Sequence, residues 1–254
     1  MKHLLTALLF FCCGAVQAQE QMLTLQTRPS VTLRMLLLEP EGKPQASVIL
    51  FTGGEGVLRL GDDGQLHAGA GNFLVRTRQQ WAAQGFQVAV VDAPSDHPDN
   101  LNRGDFRSSA EHAQDIAVVI AQLRQRAAVP VWLVGTSRGT TSAAAVAIRL
   151  QDKVDGVVLT STINRDRGSV VDLALPQLTQ PVLVVQHQHD QCKVTLYQNL
   201  QPVMDGLPSS RSKELLLVDG GMDKGDPCQP WAAHGYNGIE AEVVDKVARW
   251  IRQH

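Results

Sequence analysis

Cysteine is scarce in this chain. Four occur in 254 residues, and two of them, Cys12 and Cys13, fall in an apolar N-terminal run. Aromatic residues make up only 5% of the chain, and no basic stripe interleaves with them, which argues against a nucleic-acid partner. Beyond Leu4–Ala15 there is no second long apolar run, so no stable membrane insertion of the mature chain is expected. There is also no Pro/Ser-rich linker, internal repeat or low-complexity tract, and a single domain follows. The formal charge of −2 becomes −3 once Lys2 is removed with the N-terminal segment.

The N-terminus carries a different signal. Lys2 and His3 precede the apolar run, and Val16-Gln17-Ala18 places small residues where a signal peptidase reads. The expectation is a signal peptide over residues 1–18, a mature domain over 19–254, and a periplasmic or secreted location. A lipid anchor through Cys12 or Cys13 is the competing reading, but neither follows the small residue that such processing requires. Cys192 and Cys228 then enter an oxidising compartment. Two buried free thiols are one reading; export and the even count favour a disulfide.

Short β-branched or leucine-rich runs alternate with helical patterns, as in a parallel sheet covered on both faces. Leu23–Thr27 and Val31–Leu38 read as an opening hairpin. Val48–Phe51, Val88–Val91, Val131–Val134, Gly156–Thr160, Val182–Val185 and Leu215–Val218 read as six further strands. Asn72 is placed to cap a helix over Phe73–Gln84 that stops at Gly85. Ser108 and Glu111 form an S-x-x-E capping box ahead of the stripe Ala113, Ile116, Ala117, Ile120 and Leu123. Helices are also expected over Thr140–Leu150 and Ile239–Arg252.

Between the strand at 131–134 and the helix at 140–150 lies Gly135-Thr136-Ser137-Arg138-Gly139. A strand-to-helix turn this tight strains its central serine, and only small residues at 135 and 139 avoid the neighbouring strand and helix. The alanine-rich helix that follows can pack close to the sheet. Its N-terminal amides favour a developing negative charge beside Ser137. A glycine-rich turn with a capping serine is the plainer alternative, disfavoured by this strand–turn–helix context.

On this motif and the strand order, residues 30–254 resemble the α/β-hydrolase-fold serine hydrolases, in particular lidless esterases and dienelactone hydrolases. The resemblance implies a mostly parallel eight-stranded sheet with helices on both faces. About twenty residues separate the sixth and seventh strands, so no large cap is expected. It further implies the order nucleophile, acid, histidine, with the acid after the seventh strand and the histidine after the eighth. Ser137, Asp190 and His234 fall in those places; Asp166, after the sixth strand, is a weaker candidate for the acid. The oxyanion-hole amides fall on Arg138 and on Gly54 in "FTGGEG", where Thr52-Gly53 departs from the family's usual His-Gly. Glu55 is expected to face solvent or to pair with Arg138 or Arg59. Trp231 and Tyr236 either wall the site or pack beneath the last helix. A Cys192–Cys228 bridge would tie the acid loop to the histidine loop, and the long Gly53–Gly71 segment would form one lip of the cleft.

The implied activity is cleavage of an ester, thioester or amide through an acyl-enzyme, with a small-molecule or acyl substrate and no cofactor. Two alternatives belong to other classes. One is a catalytically silent binding protein on the same fold. The other is metal-assisted hydrolysis at His187, His189 and Asp190, an H-x-H-D cluster in which alternate strand residues could converge.

Overall fold

The computed structural model describes residues 18–254. Cys12, Cys13 and all but the last residue of the expected signal peptide lie outside the described residues. Eight strands form one sheet: β1 (Glu20–Arg28), β2 (Val31–Leu38), β3 (Ala46–Phe51), β4 (Phe86–Val91), β5 (Val131–Thr136), β6 (Gly156–Thr160), β7 (Val182–His187) and β8 (Lys213–Val218). Their spatial order is β1-β2-β4-β3-β5-β6-β7-β8. Strand β2 runs antiparallel to both β1 and β4, and every later pairing is parallel. This is the α/β-hydrolase fold, with all eight expected strands in place.

Alternate residues of each central strand enter two separate cores, because successive side chains point to opposite faces. Ile49 and Phe51 of β3 pack with Leu133 of β5 beneath α3 (Ala110–Arg126) and α4 (Gly139–Arg149). Val48 and Leu50 pack with Trp132 and Val134 on the opposite face. There α1 (Phe73–Arg76), α2 (Arg78–Ala83) and α6 (Glu240–Gln253) supply Phe73, Trp81 and Val247. Between β6 and β7 lie only two 3-10 turns, Val170–Asp172 and Leu175–Gln177, so no cap covers the C-terminal edge of the sheet. A short helix, α5 (Gln201–Asp205), precedes β8.

Two helix expectations are corrected. Asn72 does cap its helix, accepting from Leu74 N–H at 3.1 Å, but the segment to Gln84 breaks in two at Thr77. The buried Thr77 hydroxyl turns back to Phe73 O at 2.7 Å and accepts from Trp81 Nε1 at 3.2 Å, an alternative to the regular ladder. Helix α3 is capped by Ser109 rather than Ser108, with the Ser109 oxygen accepting from His112 N–H at 3.0 Å. Ser108 instead sits in a 3-10 turn, its hydroxyl donating to Asp105 O at 2.9 Å.

The Gly53–Gly71 segment is anchored rather than loose. Asp92, at the end of β4, accepts from Leu58 N–H at 2.7 Å and Leu60 N–H at 2.9 Å, and both leucines are buried. The lip of the cleft is thereby tied to the sheet.

Candidate active site

Ser137 occupies the turn between β5 and α4 with φ of 52°, a left-handed conformation that a side-chain-bearing residue adopts only under constraint. The constraint is steric. A Cβ at Gly135 would overlap the Gly139 carbonyl, and one at Gly139 would overlap the Phe51 carbonyl of the neighbouring strand. A Cβ at Gly53 would lie 2.8 Å from Ser137 Cβ, so β3 also delivers its glycine directly against the serine. Ser137 N–H is held by Thr160 O at 3.0 Å, and Ser137 O accepts from the Thr140 hydroxyl at 2.6 Å.

The acid and the histidine meet after β7 and β8. His234 Nδ1 lies 3.0 Å from Asp190 Oδ2, with both side chains buried. Apart from this contact, Asp190 accepts only from neutral donors among the described residues: Gln186 Nε2 at 3.0 Å and the Thr195 hydroxyl at 2.9 Å reach Oδ2, and Cys192 N–H reaches Oδ1 at 2.9 Å. The Thr195 oxygen is also 3.1 Å from His234 Nδ1. With Nδ1–H given to the carboxylate, Nε2 is left as the acceptor nitrogen. The backbone of the histidine turn is fixed separately. Ser161, itself at φ 43°, donates its hydroxyl to His234 O at 2.7 Å.

Ser137 and His234 line one cleft of about 480 Å³, together with Gly53, Gly54, Gly71 and Trp231. Gly54 N–H and Arg138 N–H, the expected oxyanion donors, have no acceptor among the described residues. Trp231 is half exposed on the wall of the cleft. The Arg76 guanidinium stands 4.9 Å from its ring, pairs with Glu240 at 2.9 Å and donates to Gly71 O and Gly235 O. Tyr236 does not wall the site. It is fully buried beneath Ser161, donating to Val185 O at 2.9 Å while Ser161 N–H reaches its oxygen at 2.8 Å, and burial pushes its phenol up.

Cys192 and Cys228 are bridged, with Cα atoms 4.6 Å apart. The bridge joins the acid loop, two residues past Asp190, to the loop that leads into His234. Glu55 is exposed at the cleft and makes no ion pair among the described residues; Arg59 faces Asp99 at 3.7 Å, and Arg138 takes Asp166 at 2.7 Å. Asp166 therefore pairs with an arginine and not with the site's histidine, and Arg138 holds its carboxyl below the usual range. A larger cavity of about 640 Å³ opens on the Arg138–Asp166 side, between the β4–α3 and β6–β7 connections, and Ser137 does not line it.

The H-x-H-D residues do not converge on a common point. His187 Nδ1 accepts from His189 N–H at 3.0 Å, and Nε2 reaches the Gly220 carbonyl at 2.9 Å, so neither nitrogen is free to ligate. His189 faces Asp219 at 3.3 Å, and Asp190 turns inward to His234. The His187 and His189 rings stay neighbours at 5.9 Å, but strand β7 ends at His187 and Asp190 leaves the pair for His234.

The model of the family described as serine aminopeptidase, S33, matches residues 68–199, more than half of the chain. The chain belongs to this hydrolase family. Among solved structures, a dienelactone hydrolase from Anabaena variabilis superposes with a TM-score of 0.64 at 17% identity, over 94% of this chain and 99% of its own. A cold-adapted esterase from an Arctic intertidal metagenomic library does so with 0.62 at 18%, over 92% and 94%. A lidless α/β serine hydrolase from Xanthomonas campestris gives 0.60 at 19%, over 91% and 95%. At these identities the structures speak to the fold. No curated protein sequence matches the chain. The matched family segment includes Ser137 and Asp190 but ends before His234.

Sequence reasoning missed Gln186, Thr195 and Ser161. Nothing in their local pattern marks them; each is recruited by a partner brought near through the fold.

Proposed function

We propose that the protein is an exported serine hydrolase that cleaves an ester, thioester or amide of a small acyl substrate. The observation that carries this reading is the buried Asp190–His234 contact opening onto the cleft lined by a strained Ser137. His234 takes the Ser137 proton as the hydroxyl attacks the acyl carbon, then returns it to the leaving group. Asp190 orients the imidazole and stabilises its charged form. Gly54 and Arg138 amides, backed by the N-terminus of α4, receive the oxyanion. Water activated by His234 releases the acyl group and restores the serine. Export rests on the leader pattern of residues 1–18 and is in keeping with the Cys192–Cys228 bridge.

Short- to long-chain p-nitrophenyl esters and an aminoacyl p-nitroanilide, offered to wild type and Ser137→Ala, test the reading. Turnover that needs Ser137 and survives a chelator is expected. An active Ser137→Ala protein would end the proposal.

A further inference from the structure

The loop that carries Gly54 is gripped from behind by a buried cation. Arg107, in the β4–α3 connection, is 4% exposed. Its Nε–H donates to Asn102 Oδ1 at 2.8 Å and one Nη to Ser142 Oγ at 3.0 Å. The other Nη donates to Thr52 O and Gly54 O, each at 3.2 Å. No carboxylate accompanies it among the described residues. Burial, reinforced by repulsion from Arg138, pushes the guanidinium down to about 9, still cationic at neutral pH. The neighbouring buried His112 adds no second positive charge, since burial, with repulsion from Arg107, drives it down to about 3 and keeps it neutral. A charge kept from water without a counterion destabilises a fold unless dipoles compensate it. Here the compensating dipoles are loop carbonyls.

All four carbonyls from Thr52 to Glu55 are engaged. Besides the two on Arg107, Gly53 O accepts from Gly56 N–H at 3.1 Å and Glu55 O from Leu101 N–H at 2.8 Å; Asn102 Nδ2 adds a second bond to Gly54 O at 3.0 Å. Each peptide is trans and planar, so a fixed carbonyl turns the following N–H the opposite way. The amides of Gly54 and Glu55 are left without acceptors among the described residues, and both residues line the cleft with Ser137. The loop closes on the guanidinium so tightly that a Cβ at Gly56 would lie 2.5 Å from Arg107 Nη2.

We propose that Arg107 is the positioning residue of the oxyanion loop: it clamps the peptides on both sides of Gly53–Gly54, keeps the Gly54 amide turned to the cleft and adds positive potential where the oxyanion forms. The inference rests on Ser137 being the nucleophile. It assigns Arg107 to stabilising the tetrahedral state and not to substrate affinity.

The test uses Arg107→Lys, which keeps the charge and loses the fork, and Asn102→Ala, which removes a half-buried second holder of Gly54 O. Turnover of p-nitrophenyl acetate is expressed per site titrated with a fluorophosphonate, so partial unfolding does not enter. Phenylboronic acid, which forms an anionic tetrahedral adduct, reports oxyanion affinity. Arg107→Lys is expected to lower kcat roughly 10- to 100-fold with KM within about threefold, and to weaken phenylboronic acid in proportion. Asn102→Ala is expected to show the same pattern at about three- to tenfold. Unchanged kcat and boronate affinity, or a rise in KM alone, overturns the role of Arg107; where Arg107→Lys does not fold, Asn102→Ala decides. A wild type inert to both ester and fluorophosphonate overturns the hydrolase reading itself, and this inference with it.

Discussion

The two halves of the candidate site are built by different means. On the Ser137 side, β3, β5 and α4 approach so closely that Gly53, Gly135 and Gly139 leave Ser137 no other place. On the acid–histidine side, two long loops are held by side-chain hydrogen bonds from Gln186, Thr195 and Ser161 and by a covalent bridge. Close packing of backbones is unforgiving, because no side chain can swing away to relieve an overlap. A network of separate bonds fails in steps. The contrast teaches that geometry can be enforced by excluded volume or by satisfied polarity, and that the two should respond differently to single substitutions.

Expected effects follow from the largest to the smallest. Ser137→Ala should lower kcat/KM for a p-nitrophenyl ester by at least about 10⁴-fold while leaving the melting temperature near wild type. Asp190→Asn, which keeps the shape but removes the charge that orients His234, should cost about 10³- to 10⁴-fold in kcat. Both remove chemistry without touching the packing. Gly139→Ala attacks the packing itself: its Cβ overlaps a backbone carbonyl, and a loss of more than about 3 kcal/mol is expected in denaturant unfolding. A Gly139→Ala protein as stable as wild type would break the excluded-volume half of the comparison.

On the other side, Cys228→Ser opens a loop closed across 36 residues and should cost about 2–4 kcal/mol. That is a fall of roughly 4–16 °C in a chain of this size, and reductant should bring the wild type down to match. Thr195→Val should be the mildest, removing one buried donor to Asp190 for about 1–2 kcal/mol of stability with a modest fall in kcat. Equal losses from Thr195→Val and Gly139→Ala would erase the distinction drawn between the halves.

The same contrast explains what could be read from the chain. The elbow is legible because excluded volume writes small residues at fixed offsets from Ser137, between an apolar strand and an alanine-rich helix. Asp190 and His234 are legible only by their order after β7 and β8. Their supports are not, since Thr195 or Ser161 looks like any loop hydroxyl until the fold sets it beside its partner. Tyr236 illustrates the limit: its nearness to His234 leaves a cleft wall and packing beneath the last helix both open, and only the fold shows its ring, on a left-handed backbone at φ 57°, buried beneath Ser161. The H-x-H-D pattern misleads for a related reason: His187 and His189 stay neighbours, but backbone partners occupy both His187 nitrogens and the turn beyond sends Asp190 to His234. The one-residue shift of the α3 cap from Ser108 to Ser109 arises where adjacent serines compete and only the local 3-10 turn decides.

Covalent labelling of the folded protein with a fluorophosphonate, with the adduct located by peptide mass spectrometry, tests the proposed nucleophile most directly. A single adduct on Ser137, absent in Ser137→Ala and strongly slowed in His234→Ala, is the predicted result. No adduct on folded wild type, or equal labelling of Ser137→Ala, would contradict it.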